Sequence, residues 1–328
     1  MEFQFLGTSS GTPTKTRNVS ALALRVQNAR QWHLVDCGEG TQYRILSTNL
    51  SLVNLGAIFI THVHGDHCYG LPGLLASAGM QNRTEPVVLV GPPAIRRFLD
   101  GVLQSTQLML PYDIVFIDVE ASPAISVLAD FQVQATALSH RVPTYAYSFS
   151  EKAVEARLDV TKLNSANIPA GPLWGKIQQG ENIVLPDGSA VRAGDYLLPP
   201  RQPRKIIVGG DNDTPGLLAH EAKTADVLIH EATYTEEVLR KVGPAPQHSS
   251  AKRVAQFASE ARIRNLVLTH FSPRYRDRKE EAQSKGELSL FDIEAEARGY
   301  YSGQLFLAND FERYCLNKDG ALRFNGTG

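Results

Sequence analysis

The stretch THVHGDHCYGLPG (61–73) packs three histidines and an aspartate into six positions, between an apolar run and a glycine-rich turn. Neutral imidazoles and a carboxylate suit zinc and similar divalent ions. A nitrogen and oxygen donor set without thiolate can also keep a position open for water. A solvated polar loop is the bland alternative, but His62, His64, Asp66 and His67 in His-x-His-x-Asp-His spacing are a far rarer grouping than a lone core histidine. More groups of the same kind stand where other apolar runs end: His140 closes FQVQATALS, His270 closes NLVLT, and Asp211 follows KIIVGG. A dinuclear site is the economical reading, with His62, His64 and His140 on one ion, His67, His270 and Asp66 on the other, and Asp211 bridging. His33 within WHLVD and His220 in a helix-like stretch are expected to be structural. Asp36 of DCGEG is expected to orient ligands without binding.

These groups need a scaffold that brings strand ends to one place. Short β-type runs (EFQFLG, ALALRV, WHLVDCG, AIFITH, VVLVG, IVFIDV, FQVQATALSH, YAYSFS) fill the first 150 residues. Helix-like segments fall near 41–49, 71–81 and 94–103, and antiparallel hairpins with interspersed helices fit that pattern. From about 151 to 204 the chain turns rich in Pro and Gly (PAGPLWG, LPDGSAV, LPPRQPR), which predicts an inserted arm instead of core. Alternation then resumes. KIIVGG, DVLIHEAT and NLVLTHFS read as buried strands, each followed by a helix-like segment, with Ser249 expected to cap SSAKRVAQFASEA. Residues 274–298 are charged and expected to be helical, and QLFLANDF is a candidate closing strand. Two strand-rich halves flanking the arm imply a two-layer sheet sandwich covered by helices.

Composition sets the outer limits. The chain has 328 residues, 43% hydrophobic and 20% charged, with no apolar stretch of bilayer-spanning length, so a membrane role is not expected. The start, MEFQFLGTSSGTP, lacks the basic and apolar regions of a secretory signal, and a cytoplasmic location is the expectation. Cys37, Cys68 and Cys315 form no CxxC pair, so neither a disulfide framework nor a cysteine zinc cage is predicted. A net charge of -1 supplies no global attraction to a polyanion, and nucleic-acid binding would require a local basic surface.

THVHGDH resembles the signature of the metallo-β-lactamase superfamily, which implies metal-assisted hydrolysis and leaves the substrate open. PTKTRN (13–18), DCGEGTQ (36–42), HEAT (230–233), HSS (248–250), THFSPRY (269–275), LANDF (307–311) and AGPL (170–173) narrow the resemblance to the ribonuclease Z family. The likeness runs from residue 1 to about 311. It implies a mixed α/β (α+β) fold, a four-layer αββα sandwich forming one catalytic domain over 1–328, with a flexible substrate-binding arm at about 151–204. It implies two zinc ions per subunit, with manganese or iron also suited to the donors, a precursor tRNA substrate and a homodimer. Within it, Asp66 would be ligand and base, His248 the proton donor, and Glu231 the carboxylate orienting His248, with His230 structural. Lys15, Arg17 and Asn18 would meet the tRNA 3′ end, and Gly171 and Pro172 the tRNA body. Two departures stand out. GGDNDTP places Asn212 where the family usually has threonine, which makes Asp213 a rival to Asp211. In the arm, Lys152, Arg157, Lys162 and Lys176 are offset by Glu151, Glu155, Asp159 and Glu181, which shifts the expected phosphate grip toward Arg201, Arg204 and Lys205. The alternatives are a superfamily phosphodiesterase acting on small diesters and a non-catalytic RNA-binding relative.

Overall fold

The computed structural model describes residues 1–152, 154–277 and 287–327. It divides into two compact units, one of Met1–Ser150 with Arg204–Gly328 and one of Glu151–Pro203. Among the described residues, no helix is long and apolar enough to cross a membrane.

The first unit is built on two sheets. One contains β1 (Glu2–Gly7), β2 (Ala21–Arg25), β3 (Trp32–Val35), β4 (Leu55–Phe59), β5 (Val87–Gly91), β6 (Ile114–Asp118), β18 (Glu312–Leu316) and β19 (Leu322–Thr327), in the order β19-β18-β1-β2-β3-β4-β5-β6. The other contains β7 (Ala124–Ile125), β8 (Phe131–Leu138), β9 (Thr144–Glu151), β14 (Lys205–Val208), β15 (Val227–Glu231), β16 (Asn265–Thr269) and β17 (Gln304–Leu307), in the order β17-β16-β15-β14-β9-β8-β7.

Period-two alternation explains the layers. Ala57 and Phe59 on β4, Ile206 and Val208 on β14, and Val227 and Ile229 on β15 face one core shared by the two sheets. The residues between them turn outward. Ile58 and Ile60 pack under α1 (Thr41–Ile45), α3 (Leu71–Met80) and α4 (Pro93–Thr106). Ile207 and Leu228 pack under α7 (Ala219–Ala222), α8 (Glu236–Val242), α9 (Ala251–Glu260) and α10 (Leu290–Arg298). The result is the expected helix-sheet-sheet-helix sandwich. Phe59, fully buried, meets Tyr147 and Phe149 across the two sheets at 5.1 and 5.0 Å between ring centres. Truncating it to alanine would cost about 3–5 kcal/mol.

Several local expectations need correction. The first sheet is not made of hairpins throughout, since β3, β4, β5 and β6 run parallel. Strands such as AIF and VVLV are apolar on both faces because helices cover the outer one, which is the pattern of a parallel sheet. The helix expected over 41–49 stops at Ile45. Ser250, not Ser249, caps α9, accepting from Arg253 N, because the Ser249 hydroxyl donates to Asn212 O instead. Of the helix expected over 274–298, Leu290–Arg298 is helical behind a Ser289/Asp292 capping box, residues up to 277 form turns, and 278–286 lie outside the described residues.

The second unit has its own elements: β10 (Arg157–Leu158) paired with β13 (Leu197–Leu198), β11 (Ile183–Val184) paired with β12 (Ala190–Val191), α5 (Val160–Ser165) and α6 (Pro172–Gln178). Leu163, Ile168, Ile177, Ile183, Val191 and Ala193 form a small core of its own. Elements of two to seven residues are too short to register as periodicity.

Candidate metal centre

The carboxyl ends of β4, β14, β15 and β16 meet at one edge of the sandwich, where open sheets place their ligands. After β4 the chain forms one helical turn, α2 (Gly65–Cys68), with His64 as its N-cap residue. Two glycines permit the close approaches required there. A Cβ on Gly38 would lie 2.3 Å from Asp66 O, and one on Gly210 would lie 2.7 Å from Thr61 Cβ, so DCGEG and GGD each bring backbone against the histidine loop.

The seven ligand candidates converge as two clusters. In the first, His64 Nδ1 is 3.1 Å from both His62 Nε2 and His140 Nε2, and Asp211 Oδ2 is 3.7 Å from His62 Nε2 and from His140 Nε2. In the second, His67 Nε2 and His270 Nε2 are 3.2 Å apart, Asp66 Oδ2 is 3.5 and 3.4 Å from them, and Asp211 Oδ1 is 3.4 and 3.3 Å from them. Four donors around one ion at zinc–ligand lengths of about 2.0–2.1 Å lie roughly 3.3 Å from one another. The spacings suit divalent-ion binding by each cluster, a candidate cradle, and the two oxygens of Asp211 divide between the two. Each cradle takes donors from both sheets.

The opposite nitrogen of most of these rings is tied down. His67 Nδ1 meets Asp36 Oδ2 at 2.7 Å, His270 Nδ1 meets Thr233 Oγ1 at 3.0 Å, His140 Nδ1 meets Gln247 O at 3.0 Å, and His62 Nδ1 meets Thr61 Oγ1 at 3.0 Å. Such partners fix ring orientation and tautomer at metal sites. Asp36 thus holds the His67 ring and stands outside both clusters. Asp36 and His270 both adopt left-handed backbone, with φ of 59° and 58°, which is uncommon for residues with a side chain.

Burial holds His62, His64 and His140 below their ordinary pKa, in the neutral form that offers a lone pair. Burial acts the same way on His67, but Asp211, Asp36 and Asp66 surround it and raise it well above the usual value. Burial pushes Asp66 and Asp211 up, and the imidazoles around them outweigh it, leaving both carboxylates well below their usual range.

Beside the cradles lies a second arrangement. Glu231, 1% exposed, accepts five bonds: Oε1 from Asn212 N, Ser249 N and His248 Nδ1 at 3.1, 3.0 and 3.1 Å, and Oε2 from Thr233 N and Oγ1 at 3.1 and 2.6 Å. Burial works against its charge, but the charge and bond of His248, with a smaller contribution from His270, bring it down to about 2. His248 shows the converse, since burial lowers it while the Glu231 charge and bond raise it to about 9.

Other candidates fall elsewhere. Lys15 is exposed and lines a cleft of about 580 Å³ with Thr14, Ser272 and Arg276. Arg17 lies inward, 6% exposed, with its guanidinium bonded to Asp277, Thr8, Ala308 O and Asn309, so it braces the loop. Asn18 donates to Glu39 O. Gly171 and Pro172 begin α6 in the second unit. Arg201, Arg204 and Lys205 do not form the alternative phosphate grip. Arg201 pairs with Glu151 at 2.6 Å, Arg204 is buried and donates to Leu316 O, and Lys205 is buried against Glu221. Asp213 lies outside both cradles, bonded to Thr214. His33 pairs with Asp130, His220 is exposed on α7, and Cys68 donates to Val63 O.

Residues 1–150 match the family model of the anti-Pycsar protein Apyc1, which covers less than half of the chain. Over nearly its full length the chain is similar to ribonuclease Z of Marinobacter nauticus, 50% identical across 322 residues that make up 98% of each protein. The chain belongs to the ribonuclease Z family. Among solved structures, the short form of human tRNase Z matches with a TM-score of 0.65 at 26% identity, over 97% of this chain and 100% of that one. The metallo-β-lactamase fold protein YhfI from Bacillus subtilis shares the fold, with a TM-score of 0.63 at 16% identity over 94% and 96% of the two chains. As a ribonuclease Z family member the chain is an endoribonuclease. Beyond the histidines and aspartates, Thr61, Thr233 and the Gln247 carbonyl hold rings of this candidate site, which reading by residue type passes over. The only signal for them was adjacency: Thr61 and Thr233 sit next to or within THVHGDH and HEAT, and Gln247 immediately precedes HSS.

Proposed function

We propose that the chain removes the 3′ trailer from precursor tRNA by hydrolysis at two divalent ions. The single observation that carries this reading is the pair of donor cradles sharing Asp211, in a chain related along its whole length to ribonuclease Z. His62, His64, His140 and Asp211 would hold one ion, and Asp66, His67, His270 and Asp211 the other. Zinc suits this donor set, and manganese or iron can use the same atoms. When bound, such ions acidify a water and offset charge on phosphoryl oxygens.

The chain's own groups move the protons. Asp66 makes its described contacts through Oδ2, including one from Gly11 N at 2.7 Å, which leaves Oδ1 to accept the proton of the attacking water. His248 has Nδ1 committed to Glu231, so Nε2 delivers the proton to the leaving 3′ oxygen. Glu231 keeps that ring charged and oriented. The bond broken joins phosphorus to the 3′ oxygen, giving a tRNA with a 3′ hydroxyl and a trailer with a 5′ phosphate. Lys15 and Asn18 would meet the tRNA 3′ end from a loop braced by Arg17, and Gly171 and Pro172 would contact the tRNA body.

A homodimer fits the exposed apolar surface. Tyr43 on α1, Leu46 just after it and Met80 on α3 are 73%, 70% and 82% exposed, and Leu46 and Met80 border a groove of about 310 Å³. Patches of this kind mark interfaces.

Incubating the protein with a 3′-extended precursor tRNA, with and without a chelator, tests the reading. Chelator-sensitive release of a 5′-phosphorylated trailer is expected. Hydrolysis of a small phosphodiester with the precursor left intact would overturn it.

A further inference from the structure

We infer that Asn212 is the positioning residue that holds His230, Glu231 and His248 in one arrangement beside the bridging aspartate, an inference that rests on the proton-donor role proposed above for His248. Asn212 is fully buried. Its Oδ1 accepts from Ser139 N and Thr214 N, both at 3.2 Å. Two backbone donors on that side fix the carboxamide, so the atom 3.1 Å from His230 Nε2 is the Nδ2 amide, which can only donate. His230 Nε2 must therefore accept. The ring is a neutral Nδ1–H tautomer, and that proton bonds to Glu231 O at 2.8 Å.

The backbone of Asn212 completes the set. Its N–H donates to Glu231 Oε1 at 3.1 Å, and its carbonyl accepts from Ser249 Oγ at 2.6 Å. One residue thus touches the neighbour of His140, the neighbour of His248 and Glu231 itself, while being the direct neighbour of Asp211. The side chain must accept twice and donate once in the same plane. The carboxamide does so from two separate atoms; a hydroxyl would have to make all three bonds from one oxygen, and a carboxylate can supply only the accepting part. Moving the Asn212 loop moves Glu231 Oε1 away from His248 Nδ1, which would leave the imidazole tilted from the leaving oxygen.

The test combines kinetics with a readout on metal-free protein. Asn212→Ala should lower kcat on precursor tRNA about 10- to 100-fold, in the range of other ligand-orienting partners, and leave KM within about twofold. Asn212→Asp keeps the acceptor and removes the donor, and an intermediate loss is expected. In a His248→Ala background, Asn212→Ala should cost little more, because residues acting through one another are not additive. Nitrogen-15 spectra of the metal-free wild-type protein should show His230 protonated at Nδ1, and Asn212→Ala should disturb that signature. Additive losses in the double variant, a rise in KM at constant kcat, or an Nε2–H tautomer for His230 in the wild type would each overturn the inference. The wild-type tautomer decides the matter even if the variants fail to fold. Absence of precursor tRNA cleavage by the wild type would instead sink the proposed function, and the tautomer would still be readable.

Discussion

Replacing Glu231 with glutamine removes one charge and almost no volume, so its effect can be worked out from the five bonds the carboxylate accepts. Oε1 serves three N–H donors and Oε2 serves Thr233 N and the Thr233 hydroxyl. The glutamine amide will therefore take the Oε2 place, where the hydroxyl can rotate to accept from it. Thr233 N is then left facing an N–H inside the protein, which costs about 1–3 kcal/mol of stability. The larger effect is on the reaction. The charge that raises His248 to about 9 is gone, and the ring loses the partner that keeps it protonated. Turnover should fall by about 10²- to 10⁴-fold, the usual contribution of a positioned general acid. Single-turnover cleavage of a 3′-extended precursor tRNA measures the rate, metal analysis checks that both ions stay bound, and guanidinium unfolding measures the stability. Wild-type turnover in a Glu231→Gln protein that keeps its metal would refute the account of Glu231 as the group that charges and orients His248.

The remaining predictions concern neighbouring parts. His248→Ala should slow precursor tRNA cleavage by about 10²- to 10⁴-fold with metal content nearly unchanged, and loss of an ion in that variant would speak for a ligand role instead. Asp66→Ala should abolish cleavage and deplete one of two ions by metal analysis, and retention of full activity would remove its double duty as ligand and base. Removing residues 151–203 should impair cleavage of precursor tRNA far more than hydrolysis of a small phosphodiester, and equal losses would give that unit a purely structural role. Leu46→Asp should shift the sedimentation coefficient from dimer to monomer, and a wild-type protein that already sediments as a monomer would end the dimer reading.

The sandwich was legible because its strands are buried in a regular way. Ala57, Ile58, Phe59 and Ile60 alternate between two cores, and such runs can be read as strands without knowing their partners. Direction was less legible, since the same apolar run serves a hairpin or a parallel pair until the covering helices are placed. The histidines and aspartates could be singled out because each follows an apolar run and carries a donor atom. The Arg17 brace could not be foreseen, because its partners Asp277, Ala308 and Asn309 lie 260 or more residues away in the chain. A basic residue in a loop looks like a phosphate contact until its donors are accounted for. The same holds for Lys205, whose charge is absorbed by Glu221. Asn212 stood out as an unusual neighbour of Asp211, yet its bonds to Ser139 and His230 depend on three strand ends meeting, which no local pattern encodes.

Each cradle draws donors from the β4 exit on one side and from β8, β14 or β16 exits on the other. A bound ion is consequently a rivet through the rim of the sandwich, joining halves that are otherwise held by the apolar seam behind it. Resistance to heat and to proteases would then follow the free concentration of metal around the protein, because ligands that favour the native state stabilise it by mass action. Under the proposed function, metal depletion would lower the protein's durability together with its activity.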